Sequence, residues 1–391
     1  MPLEGFSWNK LGADLRARLS KIVAAVSESS FWQKLGANLR EQSCKIYNLA
    51  RTSPLWRKCS EGLRERLSGG SGIRREGSPW QGLNTVFLKE LSDNLSSVRM
   101  RVLELLVVLF GAVVVYFAAE QIRQTTAQDQ FLFLRLFAPP SATLLTFTTV
   151  LNILVPLMAI GLGFDAINGE YNRRTLSRIL AQPIYRDALL LGKFLAGLAT
   201  LSVSLVTLWL LVIGFGLLRL GIPPSTEELG RSLVFLLITI AYAGVWLSLA
   251  MVFSILFRST ATAALVALGV WLFLALLWPA LAQPLGEAIA PPDARFAMIG
   301  LPTPDTELWK SALARFSPSH LYGEAVVAIL TPDEQSLTNV LAQFQGRIIG
   351  APLPLGQSIL MAWPQMVALL ASMIVLYVIG YVAFQRQEVR A

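Results

Sequence analysis

The sequence predicts an all-α membrane protein with six transmembrane helices and both termini on the cytoplasmic side. Three observations predict it. The chain of 391 residues is 54% hydrophobic and only 15% charged, with a mean hydropathy of +0.55. A soluble domain is nearer about 45–50% apolar and about 25% charged. The apolar residues are gathered into six runs near or above the ~20 residues that a helix needs to cross the hydrocarbon. Lys and Arg cluster in alternate connections, as the positive-inside bias requires.

Residues 1–68 form a basic tail with three 24-residue amphipathic repeats. Trp8, Trp32 and Trp56 head the same pattern, as in Trp8-Asn9-Lys10-Leu11-Gly12-Ala13-Asp14-Leu15-Arg16. Within each unit the apolar positions fall on one helical face. Basic helices carrying Trp can lie on an anionic membrane surface; short isolated helices with no partner are the alternative. Of the net charge of +8, residues 1–82 supply +7, from 14 Lys/Arg against 7 Asp/Glu. The two cysteines, Cys44 and Cys59, both lie in this tail and suit a reducing compartment rather than a disulfide framework. Residues 69–79, with Gly69-Gly70-Ser71-Gly72 and Gly77-Ser78-Pro79, read as a flexible linker.

Residues 80–391 are expected to form the six-span domain. An amphipathic interfacial helix comes first, with Leu83, Phe87, Leu91 and Leu95 against Lys89, Glu90, Asp93 and Arg99. No cleavable leader is expected, since the first apolar run starts near Val102. The spans are placed at about 102–119, 143–167, 188–218, 233–257, 261–281 and 363–384. Pro156 lies inside the second and suits a kink, and the third is long enough to tilt or to project from the bilayer. Segment 282–362, between spans five and six, is expected outside the cytoplasm as short helices on the membrane surface. Inside connections would carry Lys89, Arg99 and Arg101, then Arg173, Arg174, Arg178 and Arg186, then Arg258, then Arg386 and Arg390. Short outside loops would carry only Arg123, Arg135, Arg219 and Arg231, and the long outside segment Arg295, Lys310, Arg315 and Arg347.

The connection between spans two and three carries most of the functional information. Leu176, Ile179 and Leu180 make an apolar stripe on a short helix, Arg173, Arg174 and Arg178 its charged side, and Pro183 ends it. Such a helix, tied to two spans at the cytoplasmic face, can seat in a groove of a soluble partner and pass motion into the membrane. Here the chain resembles the permease subunits of type-2 ABC transporters, especially the subgroup of the nitrous-oxide-reductase maturation permease. The matching positions are Asp165, Glu170, Thr175, Leu176, Pro183, Arg186, Gly192 and Lys193. Arg174 departs from the family, which often has Gly before the Thr-Leu pair. Lys89-Glu90-Leu91 with Arg99 resembles the family's elbow helix. Ser317-Pro318-Ser319-His320-Leu321-Tyr322 resembles its outer segment before the last span, which makes Ser317, Pro318, Leu321 and Tyr322 candidates for an extracytoplasmic gate.

The resemblance covers roughly residues 80–391 and implies an export permease of the cytoplasmic membrane. Its coupling helix would dock on a separate ABC ATPase, present in two copies, and a second permease copy or related subunit would complete the pore. ATP and Mg would be held by that ATPase; no cofactor is expected in this chain, which has no Gly-x-x-x-x-Gly-Lys-Ser/Thr loop. ATPase coupling is assigned to Asp165, Glu170, Arg173, Arg174, Thr175, Leu176, Arg178, Leu180, Pro183 and Arg186. Other roles stay open for these residues: Asp165 and Glu170 also suit a helix start, the arginines also enforce topology, and Lys193 suits snorkelling to the interface. The single histidine, His320, and two distant cysteines do not make a usual metal site. No catalytic constellation of Ser/His/Asp or His-Glu-x-x-His type stands out, and neither a nucleic-acid partner nor a proton-coupled carrier is indicated, because mid-depth carboxylates are missing from the spans. An extracytoplasmic partner for segment 282–362 and a membrane scaffold that moves nothing are both compatible with the sequence.

Overall fold

The computed structural model describes residues 82–124, 131, 133–137, 146–173, 185–221, 223–293, 303–331 and 354–386. All of them fall in one of the two compact units of the chain, Gly77–Ala391. The repeats of the tail and the linker at 69–79 lie outside the described residues. Among the described residues the regular structure is helical, and six helices are long and apolar enough to cross a membrane.

Helix α1, Leu83–Ser96, starts after Gly82, whose φ of 90° places it in the left-handed region that only glycine enters readily. It stops at Ser97, where the backbone turns extended. Ser97 then caps the next helix: its Oγ accepts the Met100 N–H at 3.2 Å. Helix α2, Val98–Gln124, supplies the first candidate span, Val98–Glu120. It begins four residues before the expected Val102, because the corner is set by the serine cap rather than by the first apolar residue.

The second candidate span, Phe147–Asn172, joins α3 (Phe147–Gly163) through a turn to the short α4 (Asn168–Asn172). Thr146 caps α3 by accepting the Thr149 N–H at 3.1 Å, and Pro156 is accommodated inside this helix. Helix α5, Arg186–Leu220, runs roughly 50 Å at 1.5 Å per residue, longer than the hydrocarbon is thick. Gly221, at φ 68°, ends it by donating its N–H to the Leu217 carbonyl at 3.0 Å.

Helix α6, Thr226–Leu256, starts seven residues before the expected position 233. The reason is a capping box. Ser225 Oγ accepts the Glu228 N–H at 3.2 Å and Glu228 Oε2 accepts the Ser225 N–H at 2.8 Å. The other oxygen of Glu228 accepts the Phe133 N–H at 2.8 Å, fastening the loop after α2 to this helix. The fifth span combines α7 (Thr260–Leu272), a π-helical segment at Phe273–Leu277 and α8 (Trp278–Ile289). Pro279 has no N–H for the Ala275 carbonyl, and the ladder widens just before it, with Trp278 N–H on the Phe273 carbonyl. The span therefore ends at Ile289 rather than 281. The sixth, α11, Leu355–Arg386, starts eight residues before the expected 363 and continues through Pro364.

Helix α6 is the centre of the bundle. Trp246, Tyr242, Ala243 and Ala250 are fully buried, surrounded by α3, α5, α11 and, from the connection between spans five and six, α10 (Pro318–Leu330). A β-carbon at Gly163 would lie 2.8 Å from that of Ala250, so glycine there lets α3 and α6 touch. The expectation that segment 282–362 is a set of surface helices is corrected. Its ends belong to the spans. Helix α9 (Pro304–Ala314) packs on α8, and α10 buries Tyr322, Ala325 and Ile329 against α6 and α11. Alternating small and apolar residues give α10 a face that fits between helices, not one that floats on a surface.

Candidate functional site

At one end of the bundle the start of α2, the end of the second span, the start of α5 and the whole of α1 meet. Gly192 makes the contact between α1 and α5 possible: a β-carbon there would lie 2.8 Å from Val86 Cγ1. One residue on, Lys193 is buried, and its Nζ lies 3.0 Å from Glu90 Oε1 on α1 and 2.7 Å from Glu170 Oε1 on α4. Three elements are thereby pinned by one ammonium. Snorkelling, the sequence-based expectation for Lys193, is corrected, since two carboxylates meet it inside the protein and remove the need to reach water. Lys89 adds a second cation to Glu90 at 3.1 Å. Burial pushes the Glu90 carboxyl up, but the two lysines outweigh it and hold the group below the usual carboxylate range.

Asp165, in the turn between α3 and α4, accepts a 2.6 Å charge-assisted bond from Arg99 Nη1 at the start of α2. The Arg99 guanidinium also lies over the Phe164 ring, 5.7 Å from its centroid. On its other side the turn is fixed to α6. The N–H groups of Ile167 and Asn168 both donate to Ser254 Oγ, at 3.0 and 3.2 Å. Asn168 Nδ2 donates to the Phe257 carbonyl at 3.3 Å, and Asn172 Nδ2 to the Arg258 carbonyl at 3.1 Å. The segment 164–173 is therefore held from both flanks, by Arg99 and Lys193 on one and by the end of α6 on the other. Gln385 near the end of α11 hydrogen-bonds Asp187 at the start of α5, tying the last span to the same end.

The opposite end has its own polar framework. Arg231 is fully buried, although the sequence placed it in an outside loop. It lies within the first turns of α6, where Nη2 meets Glu227 Oε1 at 2.8 Å and Nη1 donates to the Ile329 carbonyl at 2.9 Å and Ser358 Oγ at 3.1 Å. Deeper along α6, the Tyr242 hydroxyl meets Asn152 Oδ1 at 2.8 Å and Ser319 Oγ at 2.9 Å. The rings of Tyr242 and Tyr322 stack at 4.4 Å, and the Tyr322 hydroxyl meets Thr239 Oγ1 at 3.2 Å. On the accessible side of α10, Glu324 takes Arg315 Nε at 3.0 Å and Gln365 Nε2 at 3.1 Å, with His320 Nε2 at 3.3 Å. Burial raises the Glu324 pKa, but His320, Gln365 and Arg315 together pull it down to about 2.

Of the expected coupling residues, Asp165, Glu170 and Arg173 come together at the Lys193 end, and Arg186 opens α5 there. Arg174, Thr175, Leu176, Arg178, Leu180 and Pro183 lie outside the described residues. Ser317, Pro318, Leu321 and Tyr322 form the first turns of α10 at the other end, with Ser317 as its N-cap. Sequence reasoning missed Ser254, Asn152, Tyr242 and Arg231. Arg231 was accessible through the Ser225–Glu228 capping signal, which puts it inside a helix. No local pattern marks the other three, whose partners lie about 90 residues away. Among the described residues no three His, Cys, Asp or Glu side chains converge as a metal site requires.

Residues 84–389 match the family model described as ABC-2 family transporter protein. Among curated proteins, the chain is 32% identical over 200 residues to a probable ABC transporter permease protein, NosY, of Pseudomonas aeruginosa, covering 50% of this chain and 67% of that protein. It is 30% identical over 196 residues to the protein of the same name from Stutzerimonas stutzeri, covering 49% and 65%. The chain thus matches about two thirds of the length of each relative with half of its own.

Proposed function

The chain belongs to the ABC-2 family of transporter proteins, and we propose that it is the permease subunit of an exporter driven by a separate ABC ATPase. In this reading the Lys193 end faces the cytoplasm, both termini lie on that side, and α1 is the elbow helix at the interface. The segment following Arg173 is the coupling helix that seats on the ATPase. ATP and Mg belong to two ATPase copies. A second permease copy, or a related subunit, pairs with this one through faces such as Leu265, Leu272 and Leu276 of the fifth span, which the fold leaves exposed. Two six-span subunits would give about twelve helices.

The observation that carries the reading is the two-sided fastening of segment 164–173. A load entering beyond Arg173 would reach α1, α2 and α5 through Glu170, Lys193 and Arg99, and α6 through Ser254. A packed set of helices linked by buried ion pairs moves as discrete bodies rather than bending locally. At the other end, Ser317, Pro318, Leu321 and Tyr322 would act as the extracytoplasmic gate, with the exposed side of α9 and α10 open to an extracytoplasmic partner. The double reversal Arg173→Glu with Arg174→Glu is expected to lower ATPase co-purification and permease-stimulated ATP turnover at least tenfold. Unchanged recovery and turnover would remove this segment from the role.

The three Trp-headed repeats favour a second reading, a membrane scaffold that gathers partners through its basic tail and moves nothing. An ATPase subunit recovered with the chain in mild detergent supports the permease; its consistent absence supports the scaffold. Deleting residues 1–70 is expected to leave insertion and ATPase pairing intact in the permease reading.

A further inference from the structure

A cavity of about 600 Å³ lies at the Lys193 end, between α1 and the ends of the first four spans. It is within the range of about 300–1,000 Å³ in which small-molecule sites fall. Lys89, Arg99, Arg173 and Lys193 line it, and so do Glu90, Asp93, Asp165 and Glu170. The lining charge is therefore zero, four cations against four carboxylates, which suits a ligand that carries both signs.

The distribution of unused hydrogen-bonding capacity is uneven. Lys193 is committed to Glu90 and Glu170. Arg99 spends one donor on Asp165, out of the five a guanidinium offers. The Arg173 side chain has no hydrogen bond or ion pair among the described residues. Two guanidinium groups lining one cavity suit a phosphate, because their planar forks match phosphate oxygens. Asp93 meets Lys89 only at 3.6 Å, and Asp165 gives one oxygen to Arg99. Those carboxylates retain acceptors for a primary ammonium, which donates three hydrogen bonds; a quaternary ammonium donates none.

The inner wall is of a different kind. Met100, Leu103, Leu162, Leu247 and Met251 line it, and Leu247 lies roughly 13 Å of helix inside the Leu256 end of α6. The cavity runs from a charged rim to an apolar wall, the order in which a phospholipid carries its headgroup and its acyl chains. Arg99 and Lys89, with side chains more than half exposed, leave the rim open.

We propose that this cavity binds a phospholipid with a zwitterionic, primary-amine headgroup, the phosphate on Arg99 and Arg173, the ammonium on Asp93 and Asp165, and the glycerol end along the Leu247–Met251 wall. The occupant contacts α1 and the 164–173 turn together, so its presence bears on the same junction that the ion pairs hold. That the lipid comes from the cytoplasmic leaflet rests on the permease reading; the recognition chemistry does not.

The test uses the full chain in detergent, stripped of lipid, with no ATPase present. Binding is read by native mass spectrometry and by thermal unfolding with phosphatidylethanolamine, phosphatidylcholine, phosphatidylglycerol or soluble glycerophosphoethanolamine added. Phosphatidylethanolamine is expected to bind at least tenfold tighter than each of the other three. Arg99→Gln with Arg173→Gln should remove that advantage, and Asp93→Asn with Asp165→Asn should move the preference to phosphatidylglycerol. Equal binding of the three lipids by the unaltered chain overturns the proposal without any variant having to fold. Equal binding of glycerophosphoethanolamine and the intact lipid overturns the lipid as occupant. A chain that recruits its ATPase but shows no headgroup preference sinks this proposal alone, while one that selects the lipid and recruits no ATPase sinks the permease reading alone.

Discussion

Lys193→Met tests the junction of α1, α4 and α5 most directly. Methionine keeps the length of the side chain and removes the charge. The ammonium sits 3.0 Å from Glu90 and 2.7 Å from Glu170, with its own side chain 5% exposed and each glutamate 15% exposed. Stripping one partner from a buried ion pair costs about 3–5 kcal/mol. The low end, about 3 kcal/mol, applies here because Lys89 remains on Glu90 and neither glutamate side chain is fully enclosed. The sign of the pH dependence follows from Glu90. Its pKa is depressed in the intact protein, so its contribution is present above the ordinary carboxylate range and is lost as pH falls through the lowered value. Without Lys193, burial is opposed by Lys89 alone and the Glu90 pKa rises. Protonation then relieves the repulsion from Glu170. The variant's deficit in thermal midpoint, read by tryptophan fluorescence in detergent, should be large near pH 8 and shrink towards pH 5. Adding Glu170→Gln to the variant should recover about half of the loss. A deficit of the same size at both pH values, or a midpoint equal to that of the unaltered chain, refutes the reasoning.

Other substitutions test the rest of the framework. Gly192→Val drives a side chain into Val86, 2.8 Å from its β-carbon position, and should cost about 1–3 kcal/mol and uncouple ATP turnover; Gly214→Val, with nothing within 4 Å, is the silent control in the same helix. Tyr242→Phe deserts Asn152 and Ser319 together and should lower stability by about 1–3 kcal/mol in a denaturant titration. Tyr322→Phe should cost less, under about 1 kcal/mol, because Thr239 Oγ1 keeps its 2.8 Å bond to the Phe235 carbonyl. Glu324→Gln should flatten the acid limb of the stability profile: the native carboxyl, held at about 2 against an ordinary 4.5, contributes stability above the ordinary value that is lost only as pH falls towards 2.

The spans were legible because the bilayer imposes a length and a composition that a sequence displays directly. Their ends were less so, each for a separate physical reason. Apolar runs locate the hydrocarbon, while the helix ends are set by Ser97, Thr146 and Ser225, polar residues just outside those runs. At the fifth span, the loss of one donor at Pro279 widens the helix instead of ending it, and the span runs eight residues past the expected end at 281. In the candidate site, Asp165, Glu170 and Lys193 were picked out by a family pattern, but their partners were not. Glu90 was assigned to a polar helix face, yet it is the residue that gives Lys193 a reason to be buried. Ser254 carries no pattern at all; a serine inside an apolar helix ordinarily bonds its own preceding turn, and only the fold brings the Ile167 and Asn168 N–H groups to it.

Arg231 bears on orientation as well as packing. A positive-inside argument counts charges in loops, where they face water and the membrane potential acts on them during insertion. Arg231 was counted among the outside loops, but it is a helix residue, neutralised by Glu227 and spent on the Ile329 carbonyl and Ser358. It does not belong in that count. Arg219 is similar in kind: it lies in the last turn of α5, its guanidinium 4.7 Å from the centroid of the Tyr116 ring. With both set aside, the short outside segments retain only Arg123, which lies in the last turn of α2, and Arg135, against Arg99, Arg101, Arg173, Arg186 and Arg258 among the described residues of the other end. The buried arginine thus widens the asymmetry on which the proposed orientation rests. Attaching a fluorescent reporter after Arg386 tests it: fluorescence of a protein that matures only in the cytosol supports the orientation, and activity of an alkaline phosphatase fused at the same point reverses it.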